Sequence, residues 1–122
     1  MKLPKRDVAV IPYEKLAHYA LDPVREPNKA HAFKKALGYT VSNADLLVAE
    51  IHSGLDIYPA MAKGNYGYGE LYEVAMNING TNGKTANIIT AWIDDAKNGE
   101  MRMTSVYVTK KRGVIPDDNT TV

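Results

Sequence analysis

The feature that most constrains this chain is the period-two alternation that starts at Leu71 and lasts to Thr109, interrupted only by turn signals. Tyr72, Val74, Met76 and Ile78 fall on one side of a strand, and Asn79-Gly80-Thr81-Asn82-Gly83-Lys84 supplies turn chemistry suited to positive φ. Thr85 to Asp94 forms the return strand, with Ala86, Ile88, Thr90 and Trp92 on one face. Asp95-Ala96-Lys97-Asn98-Gly99 turns the chain again, and Met101 to Thr109 is a third strand. Connections this short join antiparallel neighbours only, so the second half is a meander. Its apolar face must be covered by the residues that precede it.

Those residues read as helices. Pro12 opens a helix from Tyr13 to Leu21, since proline suits a first helical turn, and Asp22-Pro23 ends it. A second helix takes Asn28 as N-cap and stops at Gly38, with Ala30, Ala32, Phe33, Ala36 and Leu37 as its apolar stripe. Ser42-Asn43-Ala44-Asp45 resembles a capping box with aspartate in place of glutamate, opening a third helix that runs to about His52 and stops at Gly54. Between 54 and 70, Pro59 and Gly54, Gly64, Gly67 and Gly69 punctuate a stretch carrying Tyr58, Tyr66 and Tyr68, which predicts a long loop or a ragged first hairpin. The fold expected is α+β, with N-terminal helices packed on a C-terminal antiparallel sheet of three to five strands. It occupies residues 1–112 as a single domain, and Gly113 to Val122 reads as a frayed tail.

Composition removes several chemistries. The chain has no cysteine, which excludes disulfides, thiol nucleophiles and zinc-thiolate centres. Three histidines, at positions 18, 31 and 52, are too scattered to suggest a multi-histidine metal site. No stretch approaches the roughly 20 apolar residues that span a bilayer, and the N-terminus Met1-Lys2-Leu3-Pro4-Lys5-Arg6-Asp7 lacks an apolar signal core. A protein without membrane contact or export signal, acting in the cytoplasm, is expected. Fifteen basic against fourteen acidic residues give a net charge of +1, so any nucleic-acid contact must come from a local patch. Basic residues do cluster, as Lys2, Lys5 and Arg6, as Lys29, Lys34 and Lys35, and as Lys110, Lys111 and Arg112.

Lys29 stands out within its helix, where the 100° periodicity puts it close to the centre of the apolar stripe. A cation in a first helical turn also opposes the macrodipole by roughly 0.3–1 kcal/mol. A lysine aimed from a helix start towards a cleft is a candidate anion-binding or catalytic group. His31 occupies the opposite face with Lys34 and Lys35; His18 and His52 have no partner at a recognisable spacing. In the last strand, alternation puts Arg102, Thr104, Val106 and Val108 on one face and Met101, Met103, Ser105 and Tyr107 on the other. Arg102 and Thr104 then project together, close enough to hold the oxygens of one phosphate. Thr90 is placed to face the same groove, while Trp92 is expected to anchor the core with its N–H satisfied. The carboxylate pairs Asp94-Asp95 and Asp117-Asp118 lie in turn and tail contexts that suit magnesium poorly.

Taken in order, several short motifs form a pattern: Lys2-Leu3-Pro4, then Lys15-Leu16, Tyr19 and Asp22-Pro23, then Lys29-Ala30-His31-Ala32-Phe33 and Ala36-Leu37-Gly38. Tyr68-Gly69-Glu70-Leu71-Tyr72, Asn82-Gly83-Lys84, Thr90-Ala91-Trp92-Ile93 and Met101-Arg102-Met103-Thr104-Ser105-Val106-Tyr107 continue it. The series resembles a small domain of unassigned function found at the C-terminal ends of bacterial polymorphic toxins and as stand-alone proteins. That domain looks related to the Barnase-EndoU-Colicin-RelE group of metal-independent ribonucleases. The resemblance implies a toxin-type ribonuclease that needs no cofactor, cleaves RNA, commonly tRNA, by 2′-OH attack, and is neutralised by an immunity protein. It also implies delivery as part of a larger secreted protein. On this reading Lys29, Arg102 and Thr104 fall on motif positions, with His31 as the nearest available proton-transfer group and Thr90, Tyr68 and Lys63 as substrate contacts. The family's histidine-proline pair before the lysine is missing, because Val24-Arg25-Glu26-Pro27-Asn28 is shorter. A non-catalytic module that binds protein or nucleic acid through the Lys29 groove is the alternative.

Overall fold

A computed structural model describes residues 1–110. The expected tail from Gly113 and the basic pair Lys111 and Arg112 lie outside the described residues. The remainder is α+β: helices from the N-terminal half cover one face of a four-stranded antiparallel sheet in the order β1-β2-β3-β4. The strands are β1 (Ala60–Asn65), β2 (Gly69–Asn79), β3 (Thr85–Asp95) and β4 (Met101–Thr109). The punctuated stretch is thus the first hairpin, with β1 paired to β2 from Ala60↔Val74 to Asn65↔Glu70 and a register shift at Lys63.

The sheet's covered face carries Val74, Met76 and Ile78 from β2 and Ile88, Thr90 and Trp92 from β3, all buried. This is the face that the alternation assigned. β4 departs from its expected alternation: Ala91 pairs with Ser105 and Trp92 with Met103, so Thr104 is an extra residue in a bulge. The insertion shifts the side-chain parity by one. Met101 and Met103 before it, and Val106 after it, are all buried in the same core, with Val108 packed against them. The expected division of Arg102 and Thr104 from Met101 and Met103 therefore holds up to the bulge, and beyond it the assignment is overturned: Val106 and Val108 join the methionines in the core, and Ser105 and Tyr107 do not.

Three helical segments supply the other layer. The first, α1, begins at Tyr13 behind Pro12 but keeps α geometry only to Lys15; Leu16–Ala20 then widens into a π turn closed by Leu21 N–H→Leu16 O at 2.8 Å. The second, α2, spans Pro27–Leu37 with Pro27 at its first helical position and Glu26 as N-cap, two residues ahead of the Asn28 cap expected. Proline's fixed φ takes the first position, which displaces the cap upstream. Gly38 closes α2 at φ 77°, donating to Lys34 O while Tyr39 N–H reaches Phe33 O.

The third, α3 (Ala44–Leu55), follows a short 3₁₀ turn at Val41–Asn43, and its capping box is formed by Thr40 and Asn43 rather than from Ser42. α3 also continues through Gly54 instead of stopping there. A Cβ at Gly54 would collide with the thioether of Met76 in β2, so the glycine serves the close approach of helix to sheet. The turn between β2 and β3 docks on the end of α2: Thr81 N–H donates to Leu37 O at 2.8 Å and Thr81 Oγ1 to Gly38 O at 3.0 Å. Val10 adds one parallel bridge beside β4, exchanging hydrogen bonds with Met101 and Met103. No helix among the described residues is long and apolar enough to cross a membrane.

Candidate functional site

The turn at 22–25 decides where the basic residues go. Asp22 ends the first helical segment and accepts hydrogen bonds from Val24 N–H at 2.8 Å and Arg25 N–H at 3.2 Å, an Asx turn. Those two donors hold its carboxyl below the usual carboxylate range. Glu26 N–H returns to Asp22 O, and Ala30 N–H to Glu26 O, so the turn leads directly into α2. It sets Arg25 against Tyr19, with the guanidinium 5.6 Å from the ring centre, and leaves Glu26 beside Lys29 at 3.8 Å.

Lys29 points along the edge of the helical layer towards β4. Its ammonium lies 5.9 Å from the centre of the Tyr107 ring, and its side chain is 37% exposed, so it is neither a core residue nor a free surface chain. Together with Thr104, Ser105 and Val106 of β4, Glu26, and Lys15, Tyr19 and Ala20 of the first helical segment, it lines a cleft of about 100 Å³. The π turn contributes to this wall. Lys15 and Tyr19 are four residues apart and stack, with the lysine ammonium 5.4 Å from the tyrosine ring centre. Wide turns of this kind are rare in helices and are found mostly at sites of function. The bulge contributes too, because it brings both Thr104 and Ser105 to the same opening.

The cleft joins Lys29 with Thr104, as the strand reading anticipated, and adds Lys15, Tyr19, Glu26 and Ser105, which the sequence reading had not selected. Three of these had a sequence signal: Lys15 and Tyr19 share a helix face by their spacing, and Glu26 precedes Lys29 by three. Ser105 had none, because only the bulge turns it towards the lysine.

The other candidates lie elsewhere. Arg102 lines a separate cleft of about 630 Å³ with Tyr68, Ile93, Asp95 and Lys97. Its guanidinium donates to Asp95 Oδ2 at 2.8 Å, with Glu100 at 3.8 Å. Arg102 and the Lys97 N–H hold the Asp95 carboxyl below its usual range. The partner carboxylate Asp94 is engaged by Lys5 at 2.7 Å, so each member of the Asp94-Asp95 pair faces its own cation. Tyr68 is 78% exposed at the tip of the first hairpin, and Lys63 is exposed on edge strand β1. Thr90 is fully buried; its hydroxyl donates to Val74 O at 2.9 Å and accepts from Trp92 Nε1 at 2.8 Å. Those bonds explain both Thr90 and Trp92 as core residues and leave Thr90 no face on a groove. His31 is exposed on the side of α2 away from Lys29 and lines a third cavity, of about 490 Å³. His18 is exposed and does not border the Lys29 cleft.

Among known proteins, no curated sequence and no solved structure matches the chain. A family model does match, over residues 2–110, and it takes in every element of the fold as well as the Lys29 cleft. The chain therefore belongs to the family described as a domain of unknown function, DUF6883.

Proposed function

We propose that this protein is a toxin-type ribonuclease that cleaves RNA without a metal ion, using the cleft between the start of α2 and the β4 bulge. The observation that carries the reading is the convergence of Lys29 and Glu26, from the start of α2, with Thr104, from distant strand β4, on one small opening. At roughly 10–15 Å³ of cavity volume for one water, the cleft's volume of about 100 Å³ gives ample room for a phosphate. The alignment of charges suits the reaction better than it suits stability. An i,i+3 pair as exposed as Glu26 and Lys29 contributes only about 0.2–0.5 kcal/mol, which roughly offsets the macrodipole cost of the lysine.

The chemistry assigned to the residues is as follows. The Glu26 carboxylate takes the proton of the 2′-OH; the 2′-oxygen then bonds to the adjacent phosphorus and the bond from phosphorus to the 5′-oxygen breaks. Lys29 neutralises the charge that grows on the non-bridging oxygens, with the hydroxyls of Thr104 and Ser105 donating to them. Lys15, the second ammonium of the cleft, protonates the leaving 5′-oxygen. Arg25 and Tyr19 extend a basic, aromatic margin along which the strand can continue. Glu26 takes the role for which the sequence suggested His31, and Arg102 is a contact of the flanking strand at most. The bound RNA and the immunity protein are expected partners on the same reading.

The test is incubation of total RNA and tRNA with the protein in excess EDTA, with products resolved on denaturing gels and their ends analysed for 2′,3′-cyclic phosphate. Lys29→Ala lowers the cleavage rate by about 10²–10³-fold, the size of loss seen when a preorganised donor to a developing oxyanion is removed. Glu26→Gln lowers it while leaving RNA affinity unchanged. RNA that stays intact at micromolar protein removes the nuclease reading; RNA binding that then remains and depends on Lys29 leaves the binding module in its place.

A further inference from the structure

On the other side of α2, the helix, the Asp22–Pro27 connection and the segment from Tyr39 to Ser42 enclose a cavity of about 490 Å³. Its volume lies within the roughly 300–1,000 Å³ of typical small-ligand sites. The floor and walls are apolar: Leu21 and Ala30 are buried, and Pro23, Pro27 and Val41 present ring and branched faces at the mouth. Its polar groups are segregated. His31 and Lys34, three apart on α2 and both exposed, form a cationic rim on one side. Thr40 and Ser42 face them from the other, with their hydroxyl oxygens 2.8 Å apart. That hydroxyl wall is held in place before any ligand arrives, because Thr40 N–H donates to Asn43 Oδ1 at 2.8 Å and Asn43 Nδ2 to Gly38 O at 3.0 Å.

A flat apolar body with an anionic group at one end and hydrogen-bonding edges at the other fits this distribution. From it we infer that the α2–Tyr39 cavity binds a nucleoside monophosphate unit: the base lies against Pro23, Pro27 and Val41, its polar edge meets Thr40 and Ser42, and the phosphate sits on His31 and Lys34. The size contrast with the Lys29 cleft supports the division of labour. The Lys29 cleft has about 100 Å³, and the cavity on the opposite side of the same helix has about 490 Å³, the room a base and sugar need. The inference stands independently of cleavage, since none of its contacts borders the Lys29 cleft.

The experiment is titration of the ¹⁵N-labelled full chain with AMP, GMP, CMP and UMP in turn, alongside inorganic phosphate and the matching nucleosides, with amide shifts mapped by heteronuclear NMR. At least one monophosphate is expected to shift the amides of His31, Lys34, Thr40, Val41 and Ser42 together, saturably, and at least tenfold more tightly than phosphate or the bare nucleoside. His31→Ala with Lys34→Ala weakens that binding tenfold or more, and Val41→Asp, which sets a carboxylate at the apolar mouth, abolishes it; circular dichroism establishes that each variant is folded. Equal affinity for phosphate overturns the inference, as do shifts confined to Lys29, Thr104 and Ser105, or a Val41→Asp protein that binds as wild type. RNA cleavage measured on the same preparations separates the two proposals: nucleotide binding without cleavage removes the nuclease reading alone, and cleavage without nucleotide binding removes this one alone.

Discussion

Replacing Thr90 by valine tests the polar link at the centre of the sheet. The side chains are nearly equal in shape, so the substitution removes one hydroxyl and little volume. Two bonds are lost: the donation to Val74 O and the acceptance from Trp92 Nε1. The indole N–H is left without a partner in a residue 1% exposed. An orphaned buried donor costs about 1–3 kcal/mol and the lost bond to Val74 about 1 more. The methyl that replaces the hydroxyl returns about 0.8 kcal/mol. The expected net loss is about 1–3 kcal/mol, which at roughly 3–5 °C per kcal/mol for a domain of this length lowers Tm by about 3–15 °C. Urea denaturation followed by far-ultraviolet circular dichroism measures it. Thr90→Ser, which keeps the hydroxyl and gives up a methyl, should cost only about 1 kcal/mol. A double-mutant cycle with Trp92→Phe should show coupling of about 1 kcal/mol or more, because phenylalanine has no N–H to orphan. A Thr90→Val protein within 0.5 kcal/mol of wild type, or one more stable than Thr90→Ser, would refute the reasoning.

Two of the closely packed glycines, Gly80 and Gly54, should behave differently on thermal melting. Gly80→Ala places a Cβ against the backbone of Leu37, which cannot yield, so the turn must lift from α2 at about 2–4 kcal/mol; Gly54→Ala meets only the flexible thioether of Met76 and gains helix propensity, so its net change should stay within about 1 kcal/mol. The Asp95 carboxyl, held below its ordinary value of 3.8 by Arg102 and the Lys97 N–H, contributes stability above that value and loses it as pH falls through the lowered one. Asp95→Asn should therefore flatten the acid limb of the Tm–pH curve below about pH 4, and superimposable acid limbs would show that the pair is not coupled to folding. Lys29→Met removes a cation from a helix start and extends the apolar stripe beside Tyr107 and Val106, so it should leave stability unchanged or raise it by up to about 1 kcal/mol while RNA cleavage is lost. A loss above 1 kcal/mol would make Lys29 a structural residue.

The meander was legible because alternation and turn residues are local signals, and β2 pairs with β3 over eleven residues without a register break. Helix existence was legible for the same reason, but helix ends were not. Gly54 has the identity of a stop and the role of a spacer, and only the position of Met76 across the interface distinguishes the two. The first hairpin was obscured by its own glycines: Gly64 and Gly67, at φ 104° and 103°, shape a bulged strand and a tight tip, a pattern that in sequence is indistinguishable from a loop. Thr90 misled in another way. A threonine inside a strand reads the same whether its hydroxyl faces a ligand or an indole, and the choice is made by the neighbouring Trp92 two residues on, which shares its face.

The site was legible to the extent that it depends on α2 and illegible to the extent that it depends on β4. Lys29 could be singled out because helical periodicity is rigid: a residue four before buried Phe33 must lie on Phe33's side, whatever its charge. Strand periodicity carries no such guarantee, since one inserted residue inverts every side chain beyond it. The Thr104 bulge is that insertion. Without it, an alternation started from buried Met101 and Met103 would carry Ser105 into the core and leave Val106 exposed, and the bulge reverses both. It keeps Met101, Met103 and Val106 in one core while setting Ser105 beside Thr104 at the lysine's cleft, so packing and cleft are satisfied by the same irregularity. Arg102, two residues before Thr104 and on the same side of the strand, pairs with Asp95 instead. The separation of Arg102 from Lys29, which the motif order could not reveal, goes with that ion pair beside the β3–β4 turn, since Arg102 and Thr104 themselves keep the same side of the strand.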